Sequence, residues 1–175
     1  MKAIIICEQG LEECEGLVVY DLLKRSGIDV ELIGQGEYIE SSHKLIFKTN
    51  KCLSDISSFD YDCLILPGGM PGTTNLEKNT KVSELIDDFY RDNKYICAIC
   101  AAPSILIKKG LLKDYEFTCF PGFENGYKST KEKVHVHNNI ITANGLGSSI
   151  EFGLTIIEKL LGKEDAKAIA NKIQY

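Results

Sequence analysis

The sequence has no long apolar run. Nothing in it approaches the ~18–20 residues that a membrane-crossing helix requires. It has no surplus of positive charge either: 20 Lys+Arg stand against 25 Asp+Glu, a formal net charge of −5. Such a chain has little to attract a nucleic-acid backbone or an anionic lipid surface. It lacks repeats, low-complexity stretches and linkers, and 44% hydrophobic with 26% charged residues is ordinary for a globular protein. Disordered, collagen-like and coiled-coil classes are excluded on that ground. An evenly paired cysteine framework is also missing, because the seven cysteines are odd in number and scattered through apolar runs. The opening MKAIIICEQG has too short an apolar run for a secretory segment and no small-residue cleavage site. The expectation is a cytoplasmic protein with reduced thiols, any important one acting through its reactivity. A length of 175 residues predicts a single domain, 1–175, with a sizeable core.

What is present is an alternation of short apolar runs with longer amphipathic stretches. Residues 3–7, 29–34, 61–66 and 95–99 read as strands, with shorter strands at 116–120, 133–137 and 139–143 and an extended excursion at 44–49. Helices are expected where Leu11, Cys14, Val18 and Leu22 recur, ending at Gly27, and over 80–92, 101–109, 149–161 and 163–173. Continuous apolar strands alternating with helices predict an α/β fold with a mostly parallel sheet covered on both faces. Ligands of such sheets sit at the carboxyl ends of the strands.

Three strand ends stand out. The first runs through Cys7-Glu8-Gln9-Gly10 into a helix that starts with Glu12, Glu13 and Glu15. Acids there complement the helix dipole, but Glu15 also falls near the apolar stripe. The second is Leu66-Pro67-Gly68-Gly69-Met70-Pro71-Gly72, either a plain turn or a loop whose backbone N–H groups face a ligand. It matches no nucleotide-binding pattern. In the third, a strand runs into Cys100 and small residues lead straight into a helix. This is the pattern of a nucleophile elbow, and a helix N-terminus favours the thiolate. A free thiol of pKa about 8.5 is only about 3% ionised at pH 7, whereas one near 5.5 is almost fully ionised. The alternative is an inert buried thiol.

Other groups are weaker candidates. Cys97 and Cys100 form a C-x-x-C. If the strand continues through both, they lie roughly 10 Å apart, beyond the about 7 Å that a disulfide tolerates. His135 and His137 share a strand face but lack a third ligand, so no metal is expected. Cys119, before Phe120-Pro121 at another expected strand end, could border the site.

At these residues the sequence resembles the ThiJ/PfpI family over essentially its whole length. The nearest likeness is to the branch with a human parkinsonism-associated protein and bacterial relatives. The carriers are Leu-Glu-Glu-Cys-Glu-Gly at 11–16, Leu-Pro-Gly-Gly at 66–69 and Ala-Ile-Cys-Ala-Ala-Pro at 98–103. Gly-Leu-Gly-Ser-Ser at 145–149, Glu151-Phe152-Gly153 and Gly162-Lys-Glu164 add to them. The resemblance implies a flavodoxin-like three-layer sandwich, akin to class-I glutamine amidotransferases, usually a homodimer and without cofactors. It matches Cys100 to the family's reactive cysteine and Glu15 to the acid that hydrogen-bonds it. The backbone at Gly68, Gly69 and Ala101 would form the oxyanion and substrate-binding wall, with Cys119 and Phe120 beside it.

The implied activity is that of a glyoxalase or deglycase. The thiolate attacks the aldehyde of methylglyoxal or glyoxal, Glu15 moves the proton, and water releases a hydroxy acid; the resemblance implies that the same chemistry removes early glycation adducts from protein and nucleotide amines. Oxidation of the same cysteine to a sulfinate implies the alternative of an oxidative-stress sensor or redox-regulated chaperone. There are departures. Where many members carry a histidine, this chain has Ala101 and Phe120, which removes the Cys–His pair of a peptidase. Gly-Leu-Gly replaces a more usual Gly-Pro-Gly. Thiazole-phosphate biosynthesis, an older assignment in the family, has no support in these residues.

Overall fold

The computed structural model describes residues 1–175. The chain runs β1 (Lys2–Cys7), α1 (Glu13–Arg25), β2 (Asp29–Gly34), β3 (Tyr38–Glu40), β4 (Ile46–Lys48), β5 (Lys51–Cys52), β6 (Cys63–Leu66) and α2 (Gly72–Lys78). It continues through α3 (Thr80–Arg91), β7 (Tyr95–Ile99), α4 (Pro103–Lys108), β8 (Val134–His137), β9 (Ile140–Ala143), α5 (Ser149–Leu161) and α6 (Lys163–Lys172). Seven strands form one sheet in the order β5-β2-β1-β6-β7-β9-β8. All neighbours are parallel except β8, which runs antiparallel to β9. β3 and β4 make a separate antiparallel pair.

The apolar strands feed two cores because side chains alternate across a pleat. Ala3, Ile5 and Cys7 of β1 pack beneath α1 and α5, with Val19, Leu23, Phe152 and Ile156. Ile4 and Ile6 point the other way, toward Leu76, Val82, Ile86 and Phe89 of α2 and α3. A strand wedged between two helix layers cannot afford a polar face, which is why these runs are continuously apolar. The result is the expected α/β three-layer sandwich with a mostly parallel sheet.

Some local expectations are corrected. The face of α1 that is buried carries Glu15, Gly16, Val19, Leu22 and Leu23, while Cys14 is exposed and Val18 only half-buried. Residues 116–120 form no strand. The edge of β9 they would need is taken by β8, and their backbone is held by other groups. The Thr118 amide donates to Thr142 Oγ1 at 3.0 Å, and the Phe120 amide donates to the Cys100 carbonyl at 2.8 Å. Helix α2 follows the Pro-Gly-Gly loop where only a turn was expected. The 44–49 excursion proves to be one arm of the β3–β4 hairpin.

β2 lies on one side of β1 and β6 on the other, so the chain switches direction between β1 and β6. A crevice opens at the carboxyl ends of strands flanking such a point.

Candidate active site

Three connections converge there: the entry to α1 after β1, the Pro-Gly-Gly loop after β6, and the turn after β7. Cys100 occupies a left-handed conformation with φ 64°, unusual for a residue with a Cβ. Its backbone is held on both sides. The amide donates to the Ala143 carbonyl at 2.9 Å, and the carbonyl accepts from Phe120. This strained exit from β7 turns the side chain out of the strand's alternation and toward Glu15. Helix α4 begins only at Pro103, so Cys100 stands before the helix rather than in its first turn.

Glu15 projects from the buried face of α1 and is only 1% exposed. The Gly68 amide donates to its Oε2 at 2.9 Å. The Leu146 amide and the Cys100 thiol also face the carboxyl and favour its charged form. The Cys100 sulfur in turn receives the amides of Ala101 and Gly69. The Gly68 amide is thus committed to the carboxylate, and the amides left to face a reacting oxygen at sulfur are those of Gly69 and Ala101. Gly68 is required by space. A Cβ there would lie 2.7 Å from both the Cys100 Cβ and Glu15 Oε2. Gly69, with φ 86°, would drive a side chain into the Glu12 backbone. The Glu12 amide also donates to the Gly68 carbonyl at 2.9 Å, which ties the loop to the head of α1.

The electrostatics correct one expectation. Burial, then the Glu15 charge, pushes the Cys100 thiol up to about 12, against the lowering by the Ala101 and Gly69 amides. Burial likewise raises Glu15 to about 7, though its hydrogen bonds from Cys100 and Gly68 oppose the rise. A carboxylate and a thiolate in contact cannot both ionise cheaply, so the pair holds one proton between them near neutrality. With the proton on Glu15, its charge disappears and the carboxyl becomes a donor to sulfur. The position of that single proton decides whether the thiol is inert or nucleophilic.

The remaining candidates are placed as follows. Cys97 does not face Cys100. Its Sγ lies in the core 3.6 Å from Cys63 Sγ on the neighbouring strand, and burial raises its thiol strongly. His135 Nδ1 lies 2.6 Å from Glu132 Oε2, and His137 stacks on Tyr115 with ring centroids 3.9 Å apart, so the two rings are engaged separately. Elsewhere His43 Nδ1 lies 3.3 and 3.2 Å from carboxylate oxygens of Glu12 and Glu13, an ion-paired cap over the start of α1. Cys119 is buried beside Phe120, its thiol raised to about 11 by burial and the Glu124 charge. Phe120 is 46% exposed. A Cβ at Gly145 would lie 3.4 Å from the Phe120 ring and 4.0 Å from Cys100 Sγ, so ring and sulfur flank the same small gap. Cys119, Phe120, Gly145 and Leu146 border a cleft of about 920 Å³. The Leu146 amide is the group that residue reasoning missed. The Gly-Leu-Gly motif marks its loop, but nothing in the motif says that an amide reaches Glu15.

The DJ-1/PfpI family profile matches residues 1–159. The chain belongs to the DJ-1/PfpI family. Protein dj-1beta of Drosophila melanogaster is 33% identical over 97% of this chain and 94% of its own length. The glutathione-independent glyoxalase DJR-1.2 of Caenorhabditis elegans is 30% identical over 95% of this chain and 91% of its own. Among solved structures, oxidized Toxoplasma gondii DJ-1 superposes with a TM-score of 0.95 at 32% identity, covering 99% of this chain and 98% of that one. As a DJ-1/PfpI protein with these neighbours, the chain has the flavodoxin-like sandwich that its motifs implied. No helix of the chain is long and apolar enough to cross a membrane.

Proposed function

We propose that this DJ-1/PfpI protein is a cofactor-independent glyoxalase or deglycase-type enzyme, acting on methylglyoxal, glyoxal or early glycation adducts. The observation that carries this reading is the hydrogen-bonded pair of Cys100 and a buried Glu15 raised to about 7. A general acid/base works best with a pKa near the working pH. With Glu15 protonated, the Cys100 thiolate attacks the aldehyde carbon, and the new alkoxide faces the Gly69 and Ala101 amides and takes a proton to give a hemithioacetal. Glu15 then removes the proton from that carbon and returns it to the neighbouring one, giving a thioester. Water cleaves the thioester, releasing the 2-hydroxy acid and the thiol. The aldehyde is oxidised and the ketone reduced within one molecule, so no external oxidant is needed. The C. elegans relative named a glutathione-independent glyoxalase supports the same class.

The test is methylglyoxal consumption with lactate detection, wild type against Cys100→Ser at matched concentration. Lactate that depends on Cys100 is expected. Equal inactivity of both proteins overturns the enzyme reading and favours the second one, an oxidative-stress sensor or redox-regulated chaperone. That reading draws on the same geometry, since two amides and a protonated carboxyl would also hold a Cys100 sulfinate. It requires addition of two oxygens at Cys100 under mild peroxide, read by intact mass. A peptidase remains the weakest reading, because Ala101 and Phe120 stand where a partner histidine would be.

A homodimer and a cytoplasmic setting belong to the same proposal. The exposed side of α1 carries Cys14, Leu17 and Val18, which line a shallow groove with Leu45, Ile150 and Ile173. An apolar face of that kind suits a second copy.

A further inference from the structure

The turn that follows β3 packs its side chains onto the head of α1. The Ser42 amide donates to the Leu11 carbonyl at 2.8 Å, and the Leu45 amide closes the turn by donating to Ser41 Oγ at 3.1 Å. Four donor atoms from two segments are thereby brought together: Glu12 Oε2, Glu13 Oε2, Ser42 Oγ and His43 Nδ1. His43 Nδ1 lies 3.3 Å from Glu12 Oε2 and 3.2 Å from Glu13 Oε2. Ser42 Oγ lies 3.2 Å from Glu12 Oε2, 3.3 Å from Glu13 Oε2 and 3.1 Å from His43 Nδ1. One hydroxyl hydrogen and one imidazole hydrogen are all that these contacts can share. The rest bring lone pairs together, and positive charge is equally short. The two carboxyl side chains are only 12% and 16% exposed. Their ionic partner is the imidazole alone, since the nearby Lys44 pairs with Glu40. Carboxylates so enclosed call for positive partners, and one imidazolium offsets one of the two.

We infer that Glu12, Glu13 and His43 form a binding site for one divalent transition-metal ion of the zinc type, with the Ser42 hydroxyl oxygen at the fourth position. At bonds of about 2.0–2.1 Å, donors around a tetrahedral ion stand roughly 3.3–3.4 Å apart. The separations above are close to that spacing, and carboxylate oxygens of the two glutamates lie within 4.8 Å of each other. An ion at the centre meets the four lone pairs at once and supplies the missing charge. The imidazole nitrogen points to zinc and its neighbours rather than to magnesium or calcium, which take oxygen ligands. The positive end of the α1 dipole acts against a cation here, but it is a partial charge set against two full carboxylate charges. The ion stands apart from the chemistry at Cys100. It fastens the turn to the head of α1, where the Glu12 amide holds the Gly68 carbonyl.

The test titrates the metal-free full chain with zinc chloride by calorimetry, its thiols kept reduced. Wild type should bind one equivalent. His43→Arg keeps a positive partner for both carboxylates and removes the ligand nitrogen, while Glu13→Gln removes a ligand oxygen. Each should weaken binding at least about tenfold, with circular dichroism confirming that the variants fold. Cys14 is exposed and directly follows Glu13, so Cys14→Ser and Cys100→Ser test whether a thiol holds the ion instead; both should bind zinc as wild type does. In a long-range proton–nitrogen spectrum of the three histidine rings, the His43 Nδ1 signal should move with the first equivalent of zinc while those of His135 and His137 stay. Cobalt(II) in place of zinc should give visible ligand-field bands without a thiolate charge-transfer band. Zinc binding that survives His43→Arg, or that vanishes in Cys14→Ser or Cys100→Ser, overturns the inference, as does a wild type that shows no saturable binding. Displacement of zinc by an equal concentration of magnesium chloride also overturns it, because the imidazole would then not be a ligand.

Discussion

Cys97 and Cys100 lie on the same short stretch of chain, and their surroundings could hardly differ more. Cys97 sits inside β7 against Cys63, among apolar side chains on every side. Cys100 sits just past the end of the strand, where the backbone turns left-handed, and meets a carboxyl group and two amides. Burial raises both thiols, so burial does not separate an inert cysteine from a reactive one. The difference lies in whether a neighbour can take the proton and whether donors await the charge that develops. Cys97 has neither, and Cys100 has both.

The sharpest way to break this comparison is to remove the proton partner. Glu15→Gln should lower turnover of methylglyoxal by about 10²-fold or more, the usual weight of a positioned acid/base. It should also speed iodoacetamide alkylation of Cys100 at pH 7–8, because the charge that raises the thiol is gone. Loss of turnover with faster alkylation assigns Glu15 to proton transfer. Full turnover in this variant would remove it from the chemistry. Cys97→Ala is the matched control. It should cost about 1 kcal/mol of stability for a small cavity, read by denaturant unfolding, and leave kcat/KM unchanged.

How much of this contrast is legible in the sequence can be judged residue by residue. The continuous apolar runs of β1, β6, β7 and β9 place Cys100 at a strand end, and the small residues after it mark a sharp turn. The helical spacing of Val82, Leu85, Ile86 and Phe89 marks α3 equally well, because all four are buried. The apolar alternation at 116–120 misleads, because whether a run joins a ladder depends on a free strand edge, which only the fold reveals. The buried face of α1 is also misjudged. Pattern counts Cys14 and Val18 as core and places Glu15 only near that stripe, whereas the fold buries Glu15 and exposes Cys14. The position of Cys100 is therefore legible but the direction of its shift is not. Desolvation by neighbours distant in sequence outweighs the two amides.

A smaller break is to separate the pair without changing either member. Gly68→Ala puts a methyl group where the Cys100 Cβ and Glu15 Oε2 already stand. Accommodation must come from movement of one of them or of the Ile99 carbonyl 2.9 Å away. Turnover should fall about tenfold or more while the protein still folds, with a loss of roughly 1–3 kcal/mol typical of overpacking. Circular dichroism and urea unfolding check the fold, and the lactate assay reads the effect at the site. Unchanged turnover would mean that the Cys100–Glu15 contact is not needed for the reaction.

The last consequence concerns stability rather than rate. Glu15 is raised from its ordinary range to about 7, so the folded state holds its proton over a range where the unfolded chain has released it. The stability that goes with this protonated form is fully present below the unfolded value, near 4.5. It declines as pH rises and is lost once pH passes through about 7. Glu15→Gln carries no charge to desolvate, and its side-chain oxygen can still accept the Gly68 amide. Wild type and variant should therefore unfold at similar urea concentrations near pH 4. By pH 8 the variant should be the more stable, by about 1–3 kcal/mol for a shift of this order. Urea midpoints across pH 4–8 measure the divergence directly. If the two curves ran parallel, Glu15 would be ionising as freely in the fold as in the unfolded chain. In that case Cys100 would face a full negative charge throughout the neutral range and could not serve as a nucleophile there.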